Sequence, residues 1–513
     1  MKTPDHIELD IKEVEALLER AKAVLSKEDY DIIKAMADTI YLLSRSVNQK
    51  SESIRRLLRM LFGAATEKID KAARKKASTL VKEKPVKGHG RNSADDYSGA
   101  EKILVPHNTL KSGDGCPLCI KGRVYVLKMP QKIVRVTGNA PLTAVVYELE
   151  RLRCNLCGEI FIADAPVGIG EKKYDAAASA TIAVLKYGTG MPFNRLEKLQ
   201  ENSGVPLPAS TQFEIVSEHA DAVQPVYTEL INMAADGNVV YNDDTTMKVL
   251  ELMKEQNPPR KGIFTTGILS TTSDHQIALY MTGRKHAGEN LEELLKQRAI
   301  NHPPIQMCDA LSRNVPKTLK TVLSNCMAHG RRGFIDVLES FPVEVRYVLE
   351  NLSLVYKNDE IAREKNLDIH DRLCFHQENS GPVMKNLHAW LDTQLQSNVE
   401  TNSGLGQAIS YMLKHWEPLT LFLRVPGAPL DNNICERALK KAILHRKNAM
   451  FYKTLNGARV GDLFMSIIHT CSLTGVNPIA YLTVLQKNAD EIARNPKLWL
   501  PWNYTAAMQA NSS

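Results

Sequence analysis

The feature that most constrains this chain is the order of elements between residues 237 and 340. Residues 238–243, 262–271 ("GIFTTGILST") and 275–283 ("HQIALYMTG") read as three β-rich runs. A helical stretch at 286–298 follows, with Leu291, Leu294 and Leu295 on one face. Next come a strand at 305–309, a helix near 316–324, and the apolar run "CMAH" at 326–329, expected as a last strand.

Three strands, helix, strand, helix, strand is the chain order of a ribonuclease-H-like domain. In that fold one acid sits on the first strand, a second at the end of the fourth, and a third on a later helix. Asp243 ends the run "GNVVYND", Asp309 ends "PPIQMCD", and Glu436 lies one turn inside the basic helix "LDNNICERALKKAILHRKN". Three such carboxylates can hold two Mg²⁺ or Mn²⁺ ions roughly 3.5–4 Å apart, a spacing suited to in-line attack on a phosphodiester. An acid at a strand end is common, so the order of elements carries the argument. Asp244 adjoins Asp243, and strand alternation lets only one of two neighbours face the metals.

The expected fold class is multidomain α/β. Residues 1–78 read as a helical region, 79–105 as a linker and 106–165 as a zinc-binding module. A helical DNA-binding or connector domain is expected at 166–235. The catalytic core is expected at 236–340 and 425–475, interrupted by a helical insertion at 341–424, with a C-terminal tail at 476–513. No apolar run approaches the ~20 residues of a membrane span, and "MKTPDHIELD" is not a secretory leader. The net charge of +7 is modest for 513 residues, but Lys and Arg cluster at 45–91 and 437–447. Such clusters suit phosphate contacts, although a single run of this kind is more often a solvated helix face.

Four cysteines form Cys116-Pro-Leu-Cys119 and Cys154-Asn-Leu-Cys157. Paired C-x-x-C knuckles around a β-rich segment predict structural Zn²⁺ in a ribbon with an enlarged hairpin, in preference to disulfides or a redox dithiol. Cys308, Cys326, Cys374, Cys435 and Cys471 lack ligand spacing and are expected as reduced, buried small hydrophobes.

At the N-terminus, Ile33, Ala37, Ile40, Ser44, Val47, Ser51, Ile54, Leu58 and Leu61 keep a heptad step. A dimerising coiled coil and a helical hairpin within one chain both fit. Helices at 175–187 and 193–202, the turn "SGVPLP" and a third helix after Pro208 have helix-turn-helix spacing. A DNA reader and a plain connector both fit that pattern.

Several blocks together resemble the insertion-sequence-66 family of bacterial DDE transposases. They are "RLLRMLFGAATEK" (56–68), "GHGR" (88–91), "CPLC…CNLC", "KYGTGMPFNRLEKLQENSGVPLPASTQ" (186–212), "NDDTTMKVL" (242–250) and "CMAHGRRGF" (326–334). The closest match is "LDNNICERALKKAILHRKNAMFYKT" (430–454), followed by "SLTGVNPIAYL" (472–482). The resemblance implies Asp243, Asp309 and Glu436 as catalytic metal ligands, with Asp243 preferred over Asp244. It implies metal-dependent cleavage that frees the element's 3′ ends and strand transfer of those ends to target DNA. Arg437, Lys440, Lys441, Arg446, Lys447, His329 and Arg332 become DNA-contact candidates. Double-stranded DNA, a homo-oligomer, small accessory proteins, no membrane and a cytoplasmic, nucleoid-associated setting are implied as well. The chain departs from the family in Asp243-Asp244-Thr245, Asp309-Ala310-Leu311 and Met327, where the family has Asp-Glu-Thr, Asp-Gly-Tyr and an aromatic. A transposase-derived DNA-binding protein that no longer cuts, and a nuclease on the same fold, are the alternatives.

Overall fold

The computed structural model describes residues 172–511 except Pro259, together with 141–153, 160–162 and scattered residues before and between them. The chain divides into two compact units, Ser51–Ala140 and the remainder. In the smaller unit the described residues include a turn at 111–114, where the Lys111 N–H donates to Asp114 Oδ2 (2.7 Å). The heptad positions (Ile33 apart), the linker and Cys116, Cys119, Cys154 and Cys157 lie outside the described residues.

The larger unit contains a short antiparallel pair, β1 (Arg151–Arg153) and β2 (Ile160–Ile162), and a mixed five-stranded sheet. The sheet strands are β3 (Val239–Thr246), β4 (Phe264–Thr271), β5 (Gln276–Gly283), β6 (Ile305–Cys308) and β7 (Val322–Asn325). Their spatial order is β5-β4-β3-β6-β7, antiparallel through the first three and parallel from β3 to β7.

Helices cover this sheet. Helices α1 (Ala176–Ala183), α2 (Phe193–Asn202) and α3 (Ala209–Ala235) precede it. Helix α4 (Ala287–Leu295) joins β5 to β6 and buries Leu291, Leu294 and Leu295, the face expected from their spacing. After β7 come α5 (Met327–Ile335), α6 (Pro342–Glu364), α7 (Ile369–Asn379), α8 (Gly381–Thr393) and α9 (Gly404–Lys414). Helices α10 (Asn433–Ala449), α11 (Leu455–Leu473) and α12 (Pro478–Lys487) follow.

Two expectations are corrected beside β7. Residues 316–324 are not a helix, because Val322–Asn325 pair with β6 instead; the β6–β7 link contains only a 3₁₀ turn, Ser312–Asn314. The run 326–329 is not a strand. Cys326 caps α5, and Met327 starts the helix. The β-branched Val322 suits the pleated position that it takes at the start of β7.

One core holds Ile182, Val223, Leu230, Val240, Ile268, Leu279 and Phe464, so α1 and α3 share it with the sheet rather than standing apart. Tyr481, Leu482, Leu485 and Trp499 belong to it too. The segment expected as a tail is therefore part of the core, since its apolar side chains recur at helical spacing on α12. A second core, with Phe334, Leu352, Leu387 and Ile409, lies among α5 to α9.

The outer edge of β5 has an unusual partner. Its N–H groups at Ala278, Tyr280 and Thr282 donate to Thr470 Oγ1 (3.1 Å), Ser466 Oγ (2.9 Å) and Asp462 Oδ2 (2.6 Å). Every second strand residue meets every fourth helix residue, so α11 satisfies donors that an edge strand would otherwise expose.

Candidate active site

Strand register brings the first two acids together. Tyr241 pairs with Met307 across the parallel β3–β6 ladder. Two residues further along the chain stand Asp243, still in β3, and Asp309, the residue after β6 ends. Between them reaches Asn314, whose Nδ2 donates to Asp309 Oδ1 (2.5 Å) and Asp243 Oδ1 (3.4 Å). Asn314 is fully buried. Its backbone carbonyl accepts from Asn242 Nδ2 (2.7 Å) and Gln306 Nε2 (2.7 Å), which pins the 3₁₀ turn beneath the carboxylates.

The third acid arrives on α10. Asp243 pairs with Gly267 of β4, and the Cys435 thiol donates to the Gly267 carbonyl (3.4 Å). The helix start is held by Asn432, whose Nδ2 donates to the Asn242 carbonyl (3.3 Å). Glu436 therefore lies in the first helical turn, over the strand that carries Asp243. Its carboxylate faces His329 Nδ1 at 3.6 Å and Arg332 Nη2 at 3.7 Å, both from α5.

The electrostatics follow from this crowding. Burial, then the neighbouring Asp309, raises the Asp243 carboxyl to about 7, with Asp244 and Glu436 adding to the shift. Like charges drawn together away from water favour the protonated acid. Glu436 Oε1 is also buried and lacks a hydrogen-bond partner among the described residues. Asp243 and Asp309, joined through Asn314, offer hard oxygen donors that suit a divalent cation such as Mg²⁺ or Mn²⁺, while Glu436 adjoins them with its two oxygens towards His329 and Arg332.

Asp244 points elsewhere. Its side chain, 2% exposed, accepts from His286 Nδ1 (2.9 Å) and lies 3.4 Å from Arg313 Nη2. Those partners occupy it on the opposite face of β3, as alternation requires.

The basic candidates divide. Arg437, Lys440 and Lys447 are exposed on α10. Arg446 is turned onto β3, where Nη1 donates to Thr245 Oγ1 (3.1 Å) and Thr246 Oγ1 (2.6 Å). Lys441 is half-buried, and burial lowers its ammonium pKa. Of the five cysteines expected as buried, Cys374 is exposed and the other four are buried.

Sequence reasoning missed Asn314, Asn242, Gln306 and Gly267. None has a spacing signal, because each acts across the sheet rather than along the chain.

The family model described as "Transposase IS66 family" matches residues 172–460, more than half of the chain. The chain belongs to this family. Similar curated proteins come from Sinorhizobium fredii (strain NBRC 101917 / NGR234). "Uncharacterized protein y4hP" is 27% identical over 509 residues, covering 90% of this chain and 87% of that protein. "Uncharacterized protein y4jD" is 27% identical over 366 residues, covering 64% and 66%. "Uncharacterized protein y4qI" is 25% identical over 431 residues, covering 80% and 73%. The IS66 match spans Asp243, Asp309, Glu436, His329 and Arg332, and begins after the four paired cysteines. In this IS66 transposase no helix among the described residues is long and apolar enough to cross a membrane.

Proposed function

We propose that the protein cuts DNA phosphodiester bonds at the ends of an insertion element and joins the freed 3′ ends to target DNA, with Asp243, Asp309 and Glu436 as metal-holding residues. The observation that carries this reading is Asn314, which bonds both Asp243 and Asp309 just beyond the last pair of the parallel β3–β6 ladder, Tyr241 with Met307. The sheet order β5-β4-β3-β6-β7 supports a ribonuclease-H-like core. Helices α6 to α9 are read as an insertion between the parts of the core that carry the second and third acids.

Bound divalent cations would supply activation of water or a DNA 3′-hydroxyl and stabilisation of the leaving oxygen. The chain's own groups do the rest. Asn314 orients two carboxylates. Arg332 and His329 hold the third from the side of α5. Lys440 and Lys447 stand four and eleven residues beyond Glu436, on the same face of α10, and supply point charges for the DNA backbone. Arg446 buttresses the end of β3.

Cys116, Cys119, Cys154 and Cys157 are proposed to share one Zn²⁺, and residues 1–78 to drive self-association. These parts would recognise and pair two element ends, which gives a transposase a use for them that a simple nuclease lacks. The test is a cleavage and joining assay on labelled element-end DNA, with Mg²⁺ as the only divalent cation. Nicked and joined products are expected. Binding without any strand breakage would overturn the catalytic reading.

A further inference from the structure

Glu436 stands between two different sets of donors. On the sheet side are the carboxylates. On the side of α5 are Cys326 and His329, and one ligand atom each from Cys326, His329 and Glu436 lies within 4.8 Å of the others. Cys326 is the N-cap of α5 and His329 sits three residues on, so both face the same side of its first turn. The start of α10 is tied to this turn. The Met327 N–H donates to the Leu430 carbonyl (3.0 Å), and the Asn432 N–H donates to Cys326 Sγ (3.2 Å).

Two of these atoms have only a long ion pair with each other. His329 Nδ1 and Glu436 Oε1 are buried, face each other at 3.6 Å, and have no hydrogen-bond partner among the described residues. A separation of 3.6 Å is too long for a hydrogen bond, and leaving two such buried atoms without one is costly. A sulfur, an imidazole nitrogen and a carboxylate oxygen form a borderline-soft ligand set. Mg²⁺ prefers oxygen donors and gains nothing from Cys326.

We propose that Cys326, His329 and Glu436 form a second metal site, selective for a thiophilic divalent cation of the Zn²⁺ type, and that filling it withdraws Glu436 from the carboxylate cluster. On binding, the S–H bond of Cys326 breaks, its proton passes to solvent and a sulfur lone pair enters the metal bond. The Asn432 N–H, already on the sulfur, stabilises the resulting thiolate. Glu436 Oε1 turns to the cation while Oε2 stays towards Arg332. The site itself is independent of the proposed transposition chemistry. The inhibitory consequence rests on that chemistry, because it needs Glu436 to be a catalytic ligand.

The experiment uses full-length protein that keeps zinc at Cys116, Cys119, Cys154 and Cys157 but has been dialysed against a weak chelator to clear the Cys326, His329 and Glu436 site. Added Co²⁺ is followed through the thiolate-to-cobalt charge-transfer absorption, in wild type, Cys326→Ser and Cys326→Ala. Wild type should develop a new band, and both variants should lose it, with apparent Co²⁺ affinity falling at least ~10-fold. Circular dichroism of each variant checks that the fold persists. In parallel, Zn²⁺ is titrated into the Mg²⁺-dependent cleavage assay. Wild type should be inhibited, and Cys326→Ser should keep its Mg²⁺ activity while needing at least ~10-fold more Zn²⁺ for inhibition. No Cys326-dependent cobalt band in folded wild type overturns the site. A band with unchanged zinc sensitivity in Cys326→Ser overturns the inhibition. If Mg²⁺ supports no cleavage at all, the cobalt measurement still decides the site while the proposed function falls.

Discussion

Gly267 and Leu439 pack tightly: a Cβ on Gly267 would stand 3.0 Å from Leu439 Cδ2. Gly267 is the β4 partner of Asp243, and Leu439 lies one turn beyond Glu436 on α10. The missing side chain therefore lets the face of α10 that follows Glu436 pack against the β4 residue paired with Asp243.

Gly267→Ala should push Leu439 or the whole start of α10 outward. Leu439 is buried, so it has little room to yield. Overpacking of this kind costs about 1–3 kcal/mol. Denaturant unfolding should show that loss, and Leu439→Ala in the same chain should recover part of it. Strictly additive effects in the double-mutant cycle would show that the contact is not what matters.

Asn314→Ala should separate site chemistry from folding. The backbone carbonyl that Asn242 and Gln306 hold is unchanged, so the turn should persist. The donor to Asp309 and Asp243 is lost. Calorimetric titration with Mn²⁺ should show affinity reduced by about 10-fold or more, as for other groups that orient metal ligands. Unchanged Mn²⁺ affinity would remove Asn314 from the site.

The Asp243 carboxyl is raised from 3.8 to about 7, so the native state keeps a proton that the unfolded chain has released. Metal-free protein should then lose stability as pH rises from about 4 to about 7, without regaining it above. Asp462, raised to about 7 by burial and opposed by its bonds from Thr282, titrates in the same window. The difference between variants makes the assignment. Asp243→Asn should flatten part of the slope and, at about pH 8 without metal, be more stable than wild type by roughly 1–4 kcal/mol. Excess Mg²⁺ should stabilise wild type most above pH ~7, where the acid is ionised. A thermal melt series over pH for the two proteins, with and without Mg²⁺, checks both points.

Much of the sheet was legible because β3, β4 and β5 carry β-rich runs with turns between them, and Leu291, Leu294 and Leu295 keep helical spacing. The β6–β7 link was not, because "VLSN" is too short to favour a strand until β6 lies beside it. Helix α12 was misread as a tail, since its apolar positions gain meaning only from the core that receives them. At the site, Asp309 and Glu436 were nameable because one follows the end of β6 and the other opens α10, whereas Asp243 lies inside β3, which runs on to Thr246 past the strand end expected at 243. The role of Asp244 in holding His286 and Arg313 was not, because both partners lie over 40 residues away. Asn314 and Gly267 act through register, and a sequence carries register only weakly.

The most direct test sets neighbouring acids against one another. Asp243→Asn, Asp309→Asn, Glu436→Gln and Asp244→Asn are assayed for Mg²⁺-dependent cleavage and joining of element-end DNA, normalised to folded protein. The first three should abolish strand breakage while end binding persists, because losing a metal ligand forfeits several kcal/mol of transition-state stabilisation. Asp244→Asn loosens the contacts to His286 and Arg313, so it should lower stability yet keep substantial activity per folded molecule. Full activity in Asp243→Asn with an inactive Asp244→Asn, or activity surviving the loss of all three acids, would contradict the account.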